Sequence, residues 1–226
     1  MSAAGHETTT AEPAPYLPGE DLTRRAVTVI TALIALLSFA FSLGNVTALA
    51  LYLYTDNWIR LRKDEIERAD GSRGTYAFVE KDDFAAVIPA ENGGFHLVEE
   101  YRYPLGRRGW SFPQGGFPAG ASGTPEELAR AELAQETGLR AARLVPLGSL
   151  SAGHGSTNQY GVYWLATGLT QGEQDLEPEE LGLRHAWVTR AEFEQMTGDG
   201  RIVDDTTLAA YALLLIGERR GSVSLS

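Results

Sequence analysis

Hydrophobic residues alternate with polar residues in several short stretches of the chain, which is the pattern of half-buried β-strands. Such strands are predicted at residues 59–61 and 76–78, and mostly apolar segments predict further strands at residues 84–88, 95–98, 144–150 and 160–166. Turn-forming residues at 70–72 and 91–94 separate neighbouring strands and predict hairpins. Helices are predicted at residues 190–196 and 206–216, where capping residues and apolar faces occur together. The pattern indicates a protein of the α/β class.

A further helix is predicted between Thr124 and Gly138. Thr124 is a good N-cap, Pro125 suits the first helical position, and Glu127 completes a capping box that satisfies two backbone donors. Gly138 supplies the left-handed conformation that ends a helix. The signals at the two ends therefore agree on one helix of about three and a half turns.

Two glutamates of this helix, Glu132 and Glu136, lie one turn apart on the face that also carries Leu128 and Leu133. Carboxylates on the apolar side of a helix repel each other and resist burial unless a cation lies between them. Hard cations such as Mg²⁺ prefer oxygen ligands of this kind. The spacing alone is also common on solvated helix faces, so both interpretations stay open at this point.

The N-terminal part of the chain differs from the rest. Residues 1–22 are rich in Ser, Ala, Thr, Pro and Glu and are expected to form a disordered tail. Residues 26–54 form an uncharged, mostly apolar run, longer than the roughly 20 residues that cross a bilayer, so residues 23–55 are predicted to form one transmembrane helix. Basic residues are more frequent after this run than before it, which favours a single-pass protein of the cell membrane with its C-terminal domain in the cytoplasm.

Two other interpretations of the apolar run remain open. The pair Arg24-Arg25 before an apolar core, with Ala48-Leu49-Ala50 after it, is also a feature of cleaved signal peptides, although this core is longer than usual. Alternatively, the segment packs against a partner chain in a soluble oligomer, and the protein is cytoplasmic.

Length and composition narrow the class of protein. The chain has 226 residues, enough for one catalytic domain of common size, placed at residues 56–220, with an N-terminal addition and a flexible C-terminus at 221–226. Its formal net charge is −11 and it has no basic run, so nucleic acid is not an expected partner. It has no cysteine, which excludes disulfides, thiolate zinc sites and a cysteine nucleophile.

The segment around the predicted helix resembles the signature of the Nudix hydrolases, and within them the ADP-ribose pyrophosphatase group. The family pattern is G-x5-E-x7-R-E-U-x-E-E-x-G-U, where U is apolar. Its second half is met by Glu132, Leu133, Glu136, Gly138 and Leu139. The chain departs from the pattern at three residues: Ala131 replaces its arginine, Gln135 replaces the first glutamate of its pair, and Gly123 replaces its earlier glutamate. In addition, the loop from Pro113 to Thr124 is about two residues longer than is usual in the family.

Three segments outside this signature also resemble the ADP-ribose pyrophosphatase group. They are residues 98–104 (VEEYRYP), 110–115 (WSFPQG) and 200–204 (GRIVD). The resemblance covers about residues 57–215. It implies a Nudix α/β/α sandwich with a mixed sheet, which the predicted transmembrane helix would precede.

The resemblance also implies an activity and a set of roles. The expected reaction is hydrolysis of the diphosphate bond of a nucleoside diphosphate sugar, with ADP-ribose the best guess for the substrate. Mg²⁺ or Mn²⁺ would be held by Glu132 and Glu136, by the amide oxygen of Gln135, and by the backbone carbonyl of Gln114. Related pyrophosphatases are commonly dimers, so a homodimer is a further expectation.

Two other roles follow from the same resemblance. Arg102 and Gly115 are expected to contact the substrate. The family uses the arginine at the position of Arg102 to hold phosphate or ribose, and a planar guanidinium suits a diphosphate. A solvated charge on a strand is the alternative for Arg102. Glu180 or Glu179, in the acidic segment after residue 170, matches the loop glutamate that helps to activate the attacking water.

A second function from a different class stays open. The departures at Gly123, Ala131 and Gln135 suit a membrane-tethered module that binds or senses a nucleotide without hydrolysing it. The retained pair Glu132 and Glu136 favours the enzyme. A domain that serves only protein interactions is a third interpretation, which no sequence feature tests.

Overall fold

The computed structural model describes residues 51–117, 122–176 and 182–225, all within one compact unit, Ala48–Ser226. Three predictions therefore lie outside the described residues. They concern the tail at residues 1–22, the helix at 23–50, and the candidate glutamates Glu179 and Glu180.

Ten strands and three helices make up the described structure. The strands are β1 Leu51–Thr55, β2 Arg60–Glu67, β3 Arg73–Glu80, β4 Phe84–Glu91, β5 Gly94–Arg102, β6 Arg107–Ser111, β7 Gln114–Gly116, β8 Leu139–Ser151, β9 Tyr160–Gln171 and β10 Arg184–Thr189. The helices are α1 Pro125–Thr137, α2 Arg190–Gly198 and α3 Asp205–Arg220.

The strands form two sheets. Strands β1, β2 and β3 make an antiparallel sheet in that order. The other strands make a second sheet in the order β10-β5-β4-β9-β8, with β6 beside β5 and β7 beside β4. Strands β4 and β9 run parallel, whereas β4 and β5 run antiparallel, so this sheet is mixed, as predicted.

Strand β4 lies at the centre of the second sheet, and its side chains alternate between two hydrophobic clusters. Ala86 and Ile88 belong to a cluster that includes residues of α2 and α3. Ala85 and Val87 belong to the other cluster, which α1 covers with Leu128, Ala129 and Leu133. Helices therefore cover both faces of this strand.

The predicted hairpin between residues 84–88 and 95–98 is confirmed. Glu91 pairs with Gly94, which leaves Asn92 and Gly93 as a two-residue turn. Both turn residues have positive φ, at 50° for Asn92 and 72° for Gly93. Asn-Gly is the sequence that most readily adopts such a turn, which explains why this hairpin is predictable.

The polar loop at residues 152–159, between β8 and β9 of the second sheet, is hydrogen-bonded to β3 of the first sheet and to the residue after it. Ser156 O accepts a hydrogen bond from the backbone N–H of Val79 at 2.8 Å, and Gly155 O accepts one from the Tyr76 hydroxyl at 2.7 Å. Asn158 Oδ1 accepts a third, from the backbone N–H of Lys81 at 3.0 Å. These bonds give the loop a structural role as a connection between the sheets.

The structure corrects the sequence prediction at the end of the apolar run. Residues 51–55, assigned to the transmembrane helix, form strand β1, which pairs with β2 from Thr55 and Arg60 onwards. Aromatic residues such as Tyr52 and Tyr54 favour strands as well as membrane interfaces, so their composition did not separate the two. In the part of the chain that the structure describes, no helix is long and apolar enough to span a membrane.

Other elements are longer or additional. Helix α3 runs to Arg220, four residues beyond the predicted end, and Val223 and Leu225 of the segment predicted to be flexible pack against the cluster of α2 and α3. Strands β6, β7 and β10 were not predicted. Strand β7 contains two glycines, which disfavour strands, so its conformation depends on pairing with β4.

A chain of polar contacts links β4, β5 and β10. His96 Nδ1 lies 2.8 Å from His185 Nε2, and His96 Nε2 lies 2.8 Å from Glu91 Oε1. Burial, with a smaller contribution from the charge of His96, lowers the pKa of His185 from 6.5 to about 4. His185 is therefore neutral in the folded protein near pH 7.

We expect the free energy of unfolding to fall as the pH is lowered from 6.5 towards 4, because in this range the unfolded chain binds a proton at His185 and the folded chain does not. Replacing His185 by Gln should reduce this pH dependence. The measurement is chemical denaturation at a series of pH values. His154→Gln is the matched control because His154 is exposed. Equal pH dependence in the His185→Gln variant and the wild type would contradict the assignment.

Candidate functional site

Helix α1 is fixed at both ends by its own sequence, as predicted. Thr124 Oγ1 accepts a hydrogen bond from the backbone N–H of Glu127 at 3.2 Å, and Glu127 Oε2 accepts one from the backbone N–H of Thr124 at 2.7 Å. At the other end Gly138 has φ 74° and its N–H donates to Ala134 O. The predicted capping box and the glycine stop are both confirmed.

Glu132 and Glu136 lie on the buried side of this helix. Glu132 is 7% exposed and Glu136 is 4% exposed, and they share that side with Leu128 and Leu133. The interpretation as a solvated helix face is therefore wrong. Burial of two carboxylates one helical turn apart opposes folding unless positive charge or hydrogen bonds compensate.

The backbone of Gly115 passes directly against the carboxylate of Glu132. A Cβ atom added at Gly115 would lie 2.5 Å from Glu132 Oε2 and 2.6 Å from Oε1, which is shorter than van der Waals contact. Gly115 pairs with Ala85 on β4, so both strands present small residues at this level. A side chain at position 115 would have to displace this carboxylate, and the close approach places the loop backbone beside Glu132.

Residues 112–114 of the same loop are held by hydrogen bonds on two sides. Pro113 O accepts a bond of 2.9 Å from the backbone N–H of Val87 on β4. The N–H of Phe112 donates to Thr207 Oγ1 at 2.9 Å, and the side-chain amide of Gln114 donates to Asp204 Oδ2 at 3.1 Å. Thr207 and Asp204 belong to the beginning of α3. The backbone of Gln114 is thus fixed between the sheet and a helix.

Residues 172–175, which follow β9 and lead to the acidic segment, are hydrogen-bonded to the C-terminal end of α1. Gly172 N–H donates to Gly138 O at 2.8 Å, Asp175 N–H donates to Gln135 O at 3.2 Å, and the Gln174 side chain donates to Glu136 O. Beyond the undescribed residues 177–181, Gly182 O accepts a bond of 2.7 Å from Arg108. Glu179 and Glu180 therefore belong to a segment whose start is tied to the helix of Glu132 and Glu136.

Arg102 lies at the end of β5, with 45% of its side chain exposed, and forms an ion pair with Glu100. It lines a cavity of about 270 Å³ together with Gln114 and Gly115. The aromatic residues Trp58, Phe84 and Phe117 line the same cavity. The structure thus brings three of the predicted site residues, Arg102, Gln114 and Gly115, to one opening.

The donor set fits a hard divalent cation. Glu132 and Glu136 supply carboxylate oxygens beside the backbone of the 113–115 loop, and oxygen ligands are what Mg²⁺ and Mn²⁺ prefer. Within the described ranges, no group of three or more His, Cys, Asp or Glu side chains is arranged to hold a metal ion. Backbone carbonyl, amide or water oxygens would have to complete the coordination.

The three residues that depart from the family pattern differ in exposure and in their neighbours. Ala131 is exposed and Gln135 is partly buried. A Cβ atom at Gly123 would lie 2.7 Å from Phe117 Cζ and 3.1 Å from Glu127 Oε2, so a glutamate there would require movement of the Phe117 ring.

Two residues that fix the loop were not among the predicted site residues. Asp204 falls within the segment 200–204 that resembles the ADP-ribose pyrophosphatase group, whereas no motif includes Thr207. The capping signal identifies Asp204 from sequence, but its contact with Gln114 joins residues 90 positions apart, which local patterns do not reveal.

We expect Gly115→Ala to weaken Mn²⁺ binding about tenfold or more, because the added methyl group has to displace the Glu132 carboxylate. Isothermal titration calorimetry measures this directly. Gly116→Ala is the matched control, since a Cβ there meets only Asp83 O at 3.5 Å, an ordinary contact. Equal Mn²⁺ affinity of the two variants would show that the close approach does not shape the site.

Comparisons with known proteins agree with this geometry. A family model described as "Nucleoside diphosphate sugar hydrolase N-terminal domain" matches residues 52–79, and a model described as "NUDIX domain" matches residues 80–210. The boundary between the two matches lies at the end of β3.

Individual proteins show the same relationship. The chain is 31% identical over 160 residues to the ADP-ribose pyrophosphatase of Mycobacterium tuberculosis, which covers 70% of this chain and 76% of that protein. The crystal structure of an ADP compounds hydrolase superimposes with a TM-score of 0.65 at 21% identity, covering 80% of this chain and 99% of that one, which shows a shared fold. The Nudix model matches more than half of the residues of this chain, and the other two matches agree with it. This chain therefore belongs to the Nudix hydrolases and is a nucleoside diphosphate sugar hydrolase homologous to ADP-ribose pyrophosphatase.

Proposed function

We propose that the protein hydrolyses ADP-ribose to AMP and ribose 5-phosphate and that the reaction depends on Mg²⁺ or Mn²⁺. The observation that carries the proposal is the buried pair Glu132 and Glu136, with the backbone of Gly115 against Glu132. The relative from Mycobacterium tuberculosis supports the choice of substrate.

Glu132 and Glu136 would hold the cation, with the carbonyl of Gln114 and the side chain of Gln135 as further oxygen donors. When bound, a divalent cation neutralises the diphosphate and lowers the pKa of a coordinated water. The two glutamates are buried and fixed on one helix, so they need little rearrangement to bind it.

Arg102 would bind the substrate. Its guanidinium lines the cavity beside Gln114 and Gly115 and can donate two parallel hydrogen bonds to phosphate oxygens. Its ion pair with Glu100 orients the side chain but also competes with the substrate for the same donors. Gly115 would let the substrate approach the loop backbone closely. Trp58, exposed in the same cavity, is the candidate for stacking on the base.

A loop glutamate would remove the proton from the attacking water. Glu180 and Glu179 are the candidates, and both follow the segment tied to the last turn of α1. A carboxylate suits this role because it can accept the proton within hydrogen-bond reach of the water.

The expected homodimer, the membrane anchor at residues 23–50 and the cytoplasmic orientation of the catalytic domain are parts of the same proposal. They rest on the family resemblance and on the apolar run at residues 26–54.

A second candidate function is a module that binds a nucleotide without hydrolysing it. The observation that favours it is the loss of a carboxylate at Gly123 and of a charge at Gln135, since fewer negative ligands lower the affinity for the cation. In that case ADP-ribose would raise the melting temperature of the protein without any divalent metal.

We expect the purified full chain to release AMP from ADP-ribose when Mg²⁺ or Mn²⁺ is present, detected as phosphate after treatment with a phosphatase. Glu132→Gln and Glu136→Gln should each lower the rate by about 100-fold or more, because each removes a charged metal ligand. Glu126→Gln, an exposed glutamate of the same helix that pairs with Arg130, is the matched control and should retain the rate.

Absence of AMP release from the wild type, together with stabilisation by ADP-ribose in a chelating buffer, would reject the hydrolase and support the binding module.

A separate prediction concerns the proton acceptor. Of Glu179→Gln and Glu180→Gln, one should lower kcat by about 100-fold or more and leave the affinity for Mn²⁺ unchanged, because a general base contributes to the rate and not to metal binding. Steady-state kinetics and calorimetry on both variants make the assignment. Wild-type kcat in both variants would remove this loop from the mechanism.

A further inference from the structure

We infer that Asp204 is a positioning residue, which holds Gln114 and thereby the loop backbone that crosses Glu132. The inference rests on the proposed function, because it assigns Asp204 a role in cation binding at the same site. It concerns a carboxylate that neither the family pattern nor the comparisons assign to that site.

One oxygen atom of Asp204 makes two contacts. Oδ2 accepts the backbone N–H of Thr207 at 2.8 Å, which caps α3, and it accepts the side-chain amide of Gln114 at 3.1 Å. The N-cap of α3 is thus also the anchor of Gln114.

The start of α3 differs from the starts of the other two described helices. In α1 and α2 the caps are Thr124 and Thr189, and a glutamate at the third helical position bonds back to its own cap. In α3 the third position is Thr207, whose hydroxyl accepts the N–H of Phe112. Both capping positions of α3 therefore direct their side chains to residues 112–114.

This arrangement fixes the loop on the side away from the sheet. Strand β4 already holds Pro113 O through the N–H of Val87. Without the bond to Asp204, the side chain of Gln114 would lose its anchor, and the next residue, Gly115, lies against the Glu132 carboxylate with no space to spare. A small displacement of this backbone would move Gln114 O, a proposed cation ligand, relative to Glu132.

Two substitutions of Asp204 separate the contact with Gln114 from the cap and from the charge. Asp204→Ser keeps a good N-cap but has a shorter side chain that withdraws from Gln114. Asp204→Asn keeps the cap and places one oxygen where Oδ2 accepts both bonds, while it removes the charge. Gln114→Ala removes the contact from the other side and leaves the cap of α3 intact.

The test is the Mn²⁺ dissociation constant of the purified full chain, measured by calorimetry with Mn²⁺ alone. We expect Asp204→Ser and Gln114→Ala each to weaken binding by about fivefold to tenfold, the usual loss for one hydrogen bond. Asp204→Asn should bind close to the wild-type value. The double variant Asp204→Ser/Gln114→Ala should bind Mn²⁺ no more weakly than either single variant, because both substitutions remove the same contact.

Asp205→Asn controls for loss of a carboxylate from the same turn without loss of the Gln114 contact. Thermal melting of each variant controls for folding, and Gln114→Ala remains informative even if Asp204→Ser does not fold. Wild-type affinity in Gln114→Ala, or an Asp204→Asn variant as weak as Asp204→Ser, would overturn the inference.

Parallel assays of ADP-ribose hydrolysis keep the two proposals apart. If the wild type binds Mn²⁺ but releases no AMP, the proposed function fails while the positioning role is still decided by the affinities. If the wild type binds no Mn²⁺, both fail.

Discussion

The burial of Glu132 and Glu136 is the constraint on which the rest of the site depends. Each carboxylate is almost fully removed from water, on a helix whose same side packs Leu128 and Leu133 against the sheet. Such a placement opposes folding, and proteins keep it where the charges are needed for binding or reaction. The sheet accommodates it by presenting small groups, since Ala85 and Gly115 are paired where the carboxylate of Glu132 lies. The capping box of α1 sets where along the helix these side chains project.

The surrounding structure holds this helix and the facing loop from several directions. The last turn of α1 leaves carbonyl groups that no helical N–H can reach. Four of them, from Ala134, Gln135, Glu136 and Thr137, accept hydrogen bonds from Gly138, Asp175, Gln174 and Gln171. The end of the helix therefore also determines where the acidic segment begins. On the other side, β4 and the start of α3 hold residues 112–114 by hydrogen bonds, which keeps the backbone of the next residue, Gly115, against the Glu132 carboxylate.

Local sequence signals predicted what depends on neighbouring residues. Helix α1, its capping box, its glycine stop and the Asn-Gly hairpin were all predictable, because caps and turns are decided within about four residues. The pairing of β7 with β4 and the contact of Asp204 with Gln114 join distant parts of the chain and have no such signal. The transmembrane prediction was wrong for residues 51–55 for a related reason, since Tyr52 and Tyr54 suit a strand and a membrane interface equally well. Helical periodicity places Glu132 and Glu136 on the face of Leu128 and Leu133, but the same spacing is common on solvated faces, so the pattern left their burial open.

Charge explains how the departures from the family pattern can coexist with the proposed reaction. The chain carries a formal net charge of −11, and a diphosphate substrate is also negative, so in the proposed reaction a bound cation and Arg102 would have to overcome repulsion. Gln135 and Gly123 stand where the family pattern has glutamates, so the proposed cation would have fewer charged ligands. This would lower affinity for the cation, but it would leave more of the cation's charge to attract the diphosphate. Neutral oxygens such as Gln114 O would then carry a larger share of the binding, and neutral oxygens bind well only when their position is fixed. The hydrogen bond from Gln114 to Asp204 provides that restraint.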